Sequence, residues 1–144
     1  MPPLVRRYVK TSFAFLLIGL ALGGYLIVAQ FVVGTHPSRL LVTAHVHLLL
    51  VGFMLTIVMG VATWMFPRPA QGDARYRPEL AEAVYWLIAP ATALRAAAEV
   101  LLAVSGAQWL GWLVAAAGLA QLAAAALFVL NMWWRVRMPP VAGR

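Results

Sequence analysis

Long hydrophobic runs, separated by short polar segments, dominate the 144-residue chain. Four of them, at about residues 9–33, 40–66, 80–104 and 109–133, reach the roughly 20 residues that an α-helix needs to cross a bilayer. The first run follows basic residues as in a signal peptide, but its apolar core is too long, so we expect a retained span. The pattern therefore predicts an all-α fold, a four-helix transmembrane bundle that forms one domain over residues 1–144.

The composition excludes several classes of protein. Hydrophobic residues make up 64% of the chain, charged residues only 10%, and the mean hydropathy is +0.87, whereas about a quarter of a soluble domain is charged. The net charge of +7 lies mostly at the ends of the apolar runs, so it indicates orientation and not nucleic-acid binding. Because cysteine is absent, disulfides, thiolate ligands, covalent heme attachment and iron–sulfur clusters are excluded.

The distribution of basic residues predicts which side of the membrane each end occupies. One basic residue, Arg39, falls in the first loop, and none falls between the third and fourth runs. The other ends carry nine: Arg6, Arg7, Lys10, Arg68, Arg75, Arg77, Arg135, Arg137 and Arg144. We therefore expect both termini on the cytoplasmic side of a bacterial inner membrane.

Two histidines, His45 and His47, lie within the second hydrophobic run. An imidazole among lipid tails is costly unless something binds it, so both are candidate site residues. Residues two apart on an α-helix differ by roughly 200° in direction, so the rings face nearly opposite sides. They cannot readily bind one metal from one helix. Either they serve two separate interfaces, or one of them is structural.

Two charged residues of the third run, Arg95 and Glu99, are expected at the same depth. With a rise of about 1.5 Å per residue, His45 and His47 lie roughly 9 and 12 Å below the outer surface, and Glu99 and Arg95 roughly 8 and 13 Å. One interpretation is an i,i+4 ion pair that neutralises itself inside the bundle. The other is that Arg95 faces an anionic ligand group such as a heme propionate, while Glu99 orients a ligating histidine.

Three further residues complete the candidate site. Gly52 follows His45 by seven positions and so lies on nearly the same face, where it either offers a flat surface to a porphyrin or serves helix packing. His36 and Arg39 belong to the first loop at the outer rim. Such residues are ordinarily solvated, but here they are also placed to meet propionates or an entering metal ion.

Residues 44–68, AHVHLLLVGFMLTIVMGVATWMFPR, resemble the second transmembrane helix of heme–copper oxidase subunit I. The similarity is greatest to the nitric oxide reductase and C-type oxidase branch, including small stand-alone relatives. In that family a helix-two histidine is an axial ligand of the low-spin heme. The His-x-His pair is also similar to the tenth helix of the family, where two histidines bind two different hemes from opposite faces.

The resemblance implies an oligomer. Family subunits have twelve helices in three groups of four, and this chain has one group, so a homotrimer is implied. In it, His45 of one chain and His47 of its neighbour would bind one heme b. The family's copper site, with three histidines and a tyrosine-linked pocket, has no equivalent here. Two axial imidazoles also leave no open iron position, so one chain shows no complete oxidase or reductase active site.

These observations together predict a membrane b-type heme protein for electron transfer or heme handling. Its expected partners are further copies of itself, membrane lipid, and a redox partner or quinol, with no nucleic acid. One alternative is a copper or zinc site where copies of His45 or His47 converge on an axis. The other is a structural or assembly subunit of an oxidase, in which the histidines hydrogen-bond the Arg95–Glu99 pair and bind nothing.

Overall fold

The computed structural model describes residues 1–67 and 77–137, and these residues are almost entirely helical. Four helices are each long and apolar enough to cross a membrane: α1 Pro3–Phe31, α2 Arg39–Met65, α3 Pro78–Ser105 and α4 Leu110–Trp133. A short 3₁₀ turn, Arg135–Arg137, follows α4. The predicted all-α class and its four spans are confirmed, although α1 begins at Pro3 and not at residue 9.

Local sequence explains where these helices begin and end. Pro3 and Pro78 occupy the first turns of α1 and α3, where the amide that proline lacks would have no partner in the helix. The Ser38 hydroxyl accepts the amide of Leu40 at 3.2 Å and caps α2. At the end of α3, Gly106 has a φ of 67°, the left-handed conformation typical of a helix C-cap.

The helices pack mainly against their neighbours in sequence, so that α2 lies between α1 and α3, and α4 lies along α3. Glycines bring α1 and α2 close together. Each of them faces a larger side chain of the other helix: Gly23 faces His45, Gly19 faces Leu49, Gly52 faces Phe15, and Gly60 faces Tyr8. These pairs follow one antiparallel register along the whole interface.

The middle of α2 is not a regular α-helix. Residues Leu48–Leu55 are π-helical, and the hydroxyl of Thr56 bonds the carbonyl of Val51 at 2.9 Å, five residues back. Residues 38–66 contain no proline, so the sequence by itself predicts a regular α-helix here. The widened turns begin directly after His47, and π-helical turns occur often at functional sites.

One end of the molecule joins the start of α1, the end of α2, the start of α3 and the turn after α4. Arg7 pairs with Glu82 at 3.1 Å, linking α1 to α3. Arg135 is buried and donates to the carbonyls of Thr63 and Phe66 at 2.9 and 2.7 Å, linking the last turn to α2. Of the basic residues that predict the orientation, Arg68, Arg75 and Arg144 lie outside the described residues.

The α1–α2 interface generates a stability prediction. In Gly60→Ala the added Cβ would lie 2.5 Å from Cβ of the fully buried Tyr8, so we expect a loss of about 1–3 kcal/mol through overpacking. Gly111→Ala is the matched control, because nothing lies within 4 Å of its added Cβ. Thermal unfolding in detergent measures both variants. Equal stability of the two would contradict the close contact.

Candidate functional site

The imidazole of His45 lies against α1. Its Nδ1 is 2.8 Å from the carbonyl oxygen of Gly19, and the ring packs against the bare Cα of Gly23. Because a carbonyl oxygen only accepts hydrogen bonds, Nδ1 carries the proton. In the neutral ring the lone pair therefore lies on Nε2. His45 is only partly buried, and no hydrogen bond engages its Nε2 within the described ranges.

The imidazole of His47 points the other way, toward α3. Its Nδ1 lies 3.3 Å from Oε1 and 3.4 Å from Oε2 of Glu99, at the long end of the hydrogen-bond range. An ionised carboxylate is also an acceptor only, so the proton of a neutral His47 again belongs on Nδ1 and the lone pair on Nε2. The His47 side chain is 19% exposed. The two rings thus face different helices, as their spacing predicts.

Glu99 is the buried centre of a polar cluster that connects α2, α3 and α4. Its side chain is 1% exposed, and its Oε1 accepts Nε of Arg95 at 3.1 Å. Arg95 also donates to Oε1 of Gln121 at 2.9 Å, and Gln121 donates to the hydroxyl of Thr92 at 3.0 Å. The carboxylate therefore has a cation and an imidazole within reach, which compensate its removal from water.

The depth estimate correctly places His47, Arg95 and Glu99 together. The expected i,i+4 ion pair between Arg95 and Glu99 is present, and so is a carboxylate in contact with a candidate ligating histidine. Glu99 interacts with both partners at once, so the ion pair does not exclude the contact with His47. His45 does not belong to this cluster, since its Nδ1 interacts with α1.

The remaining predicted site residues lie apart from it. His36 and Arg39 are exposed on the first loop and the first turn of α2. Gly52 does lie on the same face of α2 as His45, but Phe15 of α1 fills the space beside it, and an added Cβ would be 2.8 Å from that side chain. In this chain the glycine serves helix packing and offers no flat surface to a porphyrin.

Two features of the site do not follow from the sequence. Thr92 and Gln121 belong to the polar cluster around Glu99, but no spacing in the sequence links them to it. Gly19 and Gly23 form the surface that receives His45. A glycine pair four residues apart is the signal for such a surface, although it does not reveal which side chain the surface accepts.

The described residues contain no group of three or more His, Cys, Asp or Glu side chains able to hold a metal ion. A copper or zinc site built from His45 or His47 therefore needs ligands from more than one chain. A groove of about 340 Å³ runs between α3 and α4, and includes Trp86, Pro90 and Ala117 but neither histidine.

Comparison of the chain with protein-family models, curated proteins and solved structures gave no match.

The Arg95–Glu99 pair generates a second stability prediction. We expect Arg95→Leu to lower the free energy of unfolding by about 3 kcal/mol, because it leaves the buried Glu99 carboxylate without its cation. Arg95→Lys retains the charge and should cost less. The double variant Arg95→Leu/Glu99→Leu should recover most of the loss, since no unpaired charge remains. Denaturant titration in detergent measures all three, and a double variant as unstable as Arg95→Leu would refute this explanation.

Proposed function

We propose that the protein is a multi-pass membrane protein that binds heme b through His45 and His47, for electron transfer or heme handling. The observation that carries the proposal is shared by both imidazoles. In each, an acceptor of the same chain engages Nδ1, and Nε2 is left without a hydrogen bond among the described residues. This is the usual arrangement of metal-bound histidines, whose second nitrogen donates to a carbonyl or carboxylate that fixes the tautomer and the ring plane.

The donor set fits a b-type heme. Two neutral imidazoles are sufficient for a low-spin iron, and no cysteine is required. When bound, the heme supplies one-electron oxidation and reduction. The contribution of the chain is to hold each ring in its ligating tautomer and to surround it with apolar residues. Arg95, which keeps 23% of its side chain exposed, is proposed to meet an anionic group of the cofactor. His36 and Arg39 are proposed to meet such groups at the outer rim.

The two histidines require more than one chain if both bind iron. His45 faces α1 and His47 faces α3, so one chain does not direct both Nε2 atoms to one point. We propose that His45 of one chain and His47 of the next share a heme. A head-to-tail contact whose rotation closes gives a ring, and the resemblance to a twelve-helix family implies that the ring is a homotrimer. The same resemblance supports a bacterial inner membrane.

The proposed orientation has both termini in the cytoplasm. It is supported by the distribution of basic residues, nine against one, in the sequence. The contacts of Arg7 with Glu82 and of Arg135 with α2 bring the basic ends of the helices to one side of the molecule. A redox partner or quinol would exchange electrons with the heme.

One contact also favours a second candidate function, a structural or assembly subunit without cofactor. His47 interacts with the Arg95–Glu99 pair, as that alternative predicts for a histidine that binds nothing. His45 does not follow this prediction, because its partner is a backbone carbonyl. A copper or zinc site formed by several copies is the third candidate. The absorption spectrum and metal content of the purified protein distinguish all three.

We expect His45→Ala and His47→Ala each to abolish the low-spin heme spectrum, because an iron that loses one of two imidazole ligands would become high-spin or dissociate. His36→Ala is the comparison variant: it removes a proposed contact to an anionic group of the heme but no iron ligand, so the low-spin spectrum should stay nearly intact. The measurement is the reduced-minus-oxidised absorption spectrum in detergent. Wild-type spectra in both variants would refute the assignment. A colourless wild-type protein with stoichiometric copper or zinc would support the metal site, and a protein with neither would support the structural role.

The oligomer is tested separately by native mass spectrometry of the wild-type protein in detergent. We expect a trimer whose heme count equals its chain count, because each heme takes one His45 and one His47. A monomer that keeps bis-histidine heme would refute the shared site. A dimer with one heme between two copies of His45 would also refute it, since it would leave His47 without iron.

A further inference from the structure

We propose that α1 positions the imidazole of His45, with Gly23 providing the space for the ring and the Gly19 carbonyl fixing its tautomer. The inference rests on the proposed function, because a positioned ring matters there as an iron ligand. Gly19 and Gly23 are positioning residues in this proposal. Neither touches the iron, and both act through His45.

The first argument is steric. A Cβ at position 23 would lie 2.5 Å from Cε1 of His45, 3.0 Å from Nδ1 and 3.3 Å from Nε2. Real Cβ atoms do not approach ring carbons so closely, so any side chain at this position displaces the imidazole. The ring is the far end of a flexible side chain, and it can move without unfolding the helices. Gly23 therefore determines where the ring lies.

The second argument concerns the hydrogen bond. The carbonyl of a helical residue points along the helix axis toward the residue four positions ahead. For the Gly19 carbonyl that residue is Gly23, which has no side chain to cover the oxygen. The oxygen thus keeps a lone pair open to the side of α1, and Nδ1 of His45 reaches it at 2.8 Å. The same missing Cβ admits the ring and exposes its acceptor.

Gly24 provides a control within the same turn. Nothing lies within 4 Å of a Cβ added there. The residues are adjacent in one helix, so Gly23→Ala and Gly24→Ala change helix propensity in the same direction and to a similar degree. Any difference between the two variants then reports the contact with His45.

The first readout is heme binding by the full chain in detergent. We expect Gly23→Ala to lower heme affinity by about 10- to 100-fold, the range found when a residue that orients a metal-bound histidine is changed. Gly24→Ala should bind heme as the wild type does. If Gly23→Ala keeps wild-type affinity and a wild-type low-spin spectrum, the inference is wrong.

The second readout needs no heme. Nitrogen-15 NMR of labelled, heme-free protein distinguishes the two tautomers of His45. We expect the Nδ1-protonated form in the wild type and in Gly24→Ala, and loss of that preference in Gly23→Ala. If the wild type binds no heme, the proposed function fails, but this comparison still decides whether Gly23 positions the ring. An unchanged tautomer in Gly23→Ala overturns the inference whether or not heme is bound.

A third variant covers the case in which Gly23→Ala does not fold. The double variant Gly23→Ala/His45→Ala removes the ring that the new Cβ would strike, so it should regain wild-type helicity by circular dichroism. Recovery would show that the folding defect of Gly23→Ala comes from the clash between the new Cβ and the ring of His45. A double variant that still fails to fold would show that position 23 is needed for another contact, and would overturn the proposal.

Discussion

A helix inside a bilayer has no water with which to satisfy its polar side chains, and this constraint determines the arrangement of the site. Within the described residues no buried side-chain nitrogen or oxygen lacks a hydrogen-bond partner. Thr63 and Thr92 satisfy their hydroxyls on carbonyls of their own helix turns. Glu99 cannot bond a carbonyl of its own helix, because a carboxylate needs donors. Arg95, one turn earlier on α3, provides one donor. The contact with His47 orients this face of α3 toward α2, and Arg95 connects the same cluster to Gln121 of α4.

Close packing of α1 against α2 has a different physical basis. Lipid tails are as apolar as the helix surfaces, so burial provides little drive for association, and shape and dispersion must supply it. The pairing of glycines with large side chains along one register meets this requirement. At two positions the large partner is apolar, Leu49 or Phe15, and at Gly60 it is the ring of Tyr8. At Gly23 the large partner is His45, and there the close approach of the helices also provides a hydrogen-bond acceptor, the carbonyl of Gly19. The missing side chain of Gly23 thus accounts both for the close packing and for the orientation of the His45 ring.

The sequence predicts the parts of this molecule that depend on periodicity and depth. The four spans follow from hydropathy, and the shared layer of His47, Arg95 and Glu99 follows from a constant rise per residue. What it does not predict depends on the rotation of one helix against another. Gly52 lies on the expected face of α2, but only the structure shows that Phe15 occupies that face. The π-helical segment Leu48–Leu55 is equally hidden, because its leucine-rich sequence is compatible with either helical geometry.

The two imidazoles differ in the acceptors that hold them, and this difference bears on the proposed oligomer. His45 donates to a neutral backbone carbonyl, and His47 lies against a buried carboxylate. A carboxylate partner makes an imidazole the more basic ligand, so the two rings are unequal donors to a metal. In a cyclic trimer every heme would receive one ring of each kind, and all hemes would be equivalent. A dimer joined through one pair of identical histidines would instead have symmetric ligands and would leave the other pair unused. In the proposed head-to-tail arrangement, the unequal acceptors would therefore make His45 and His47 unequal donors to one heme.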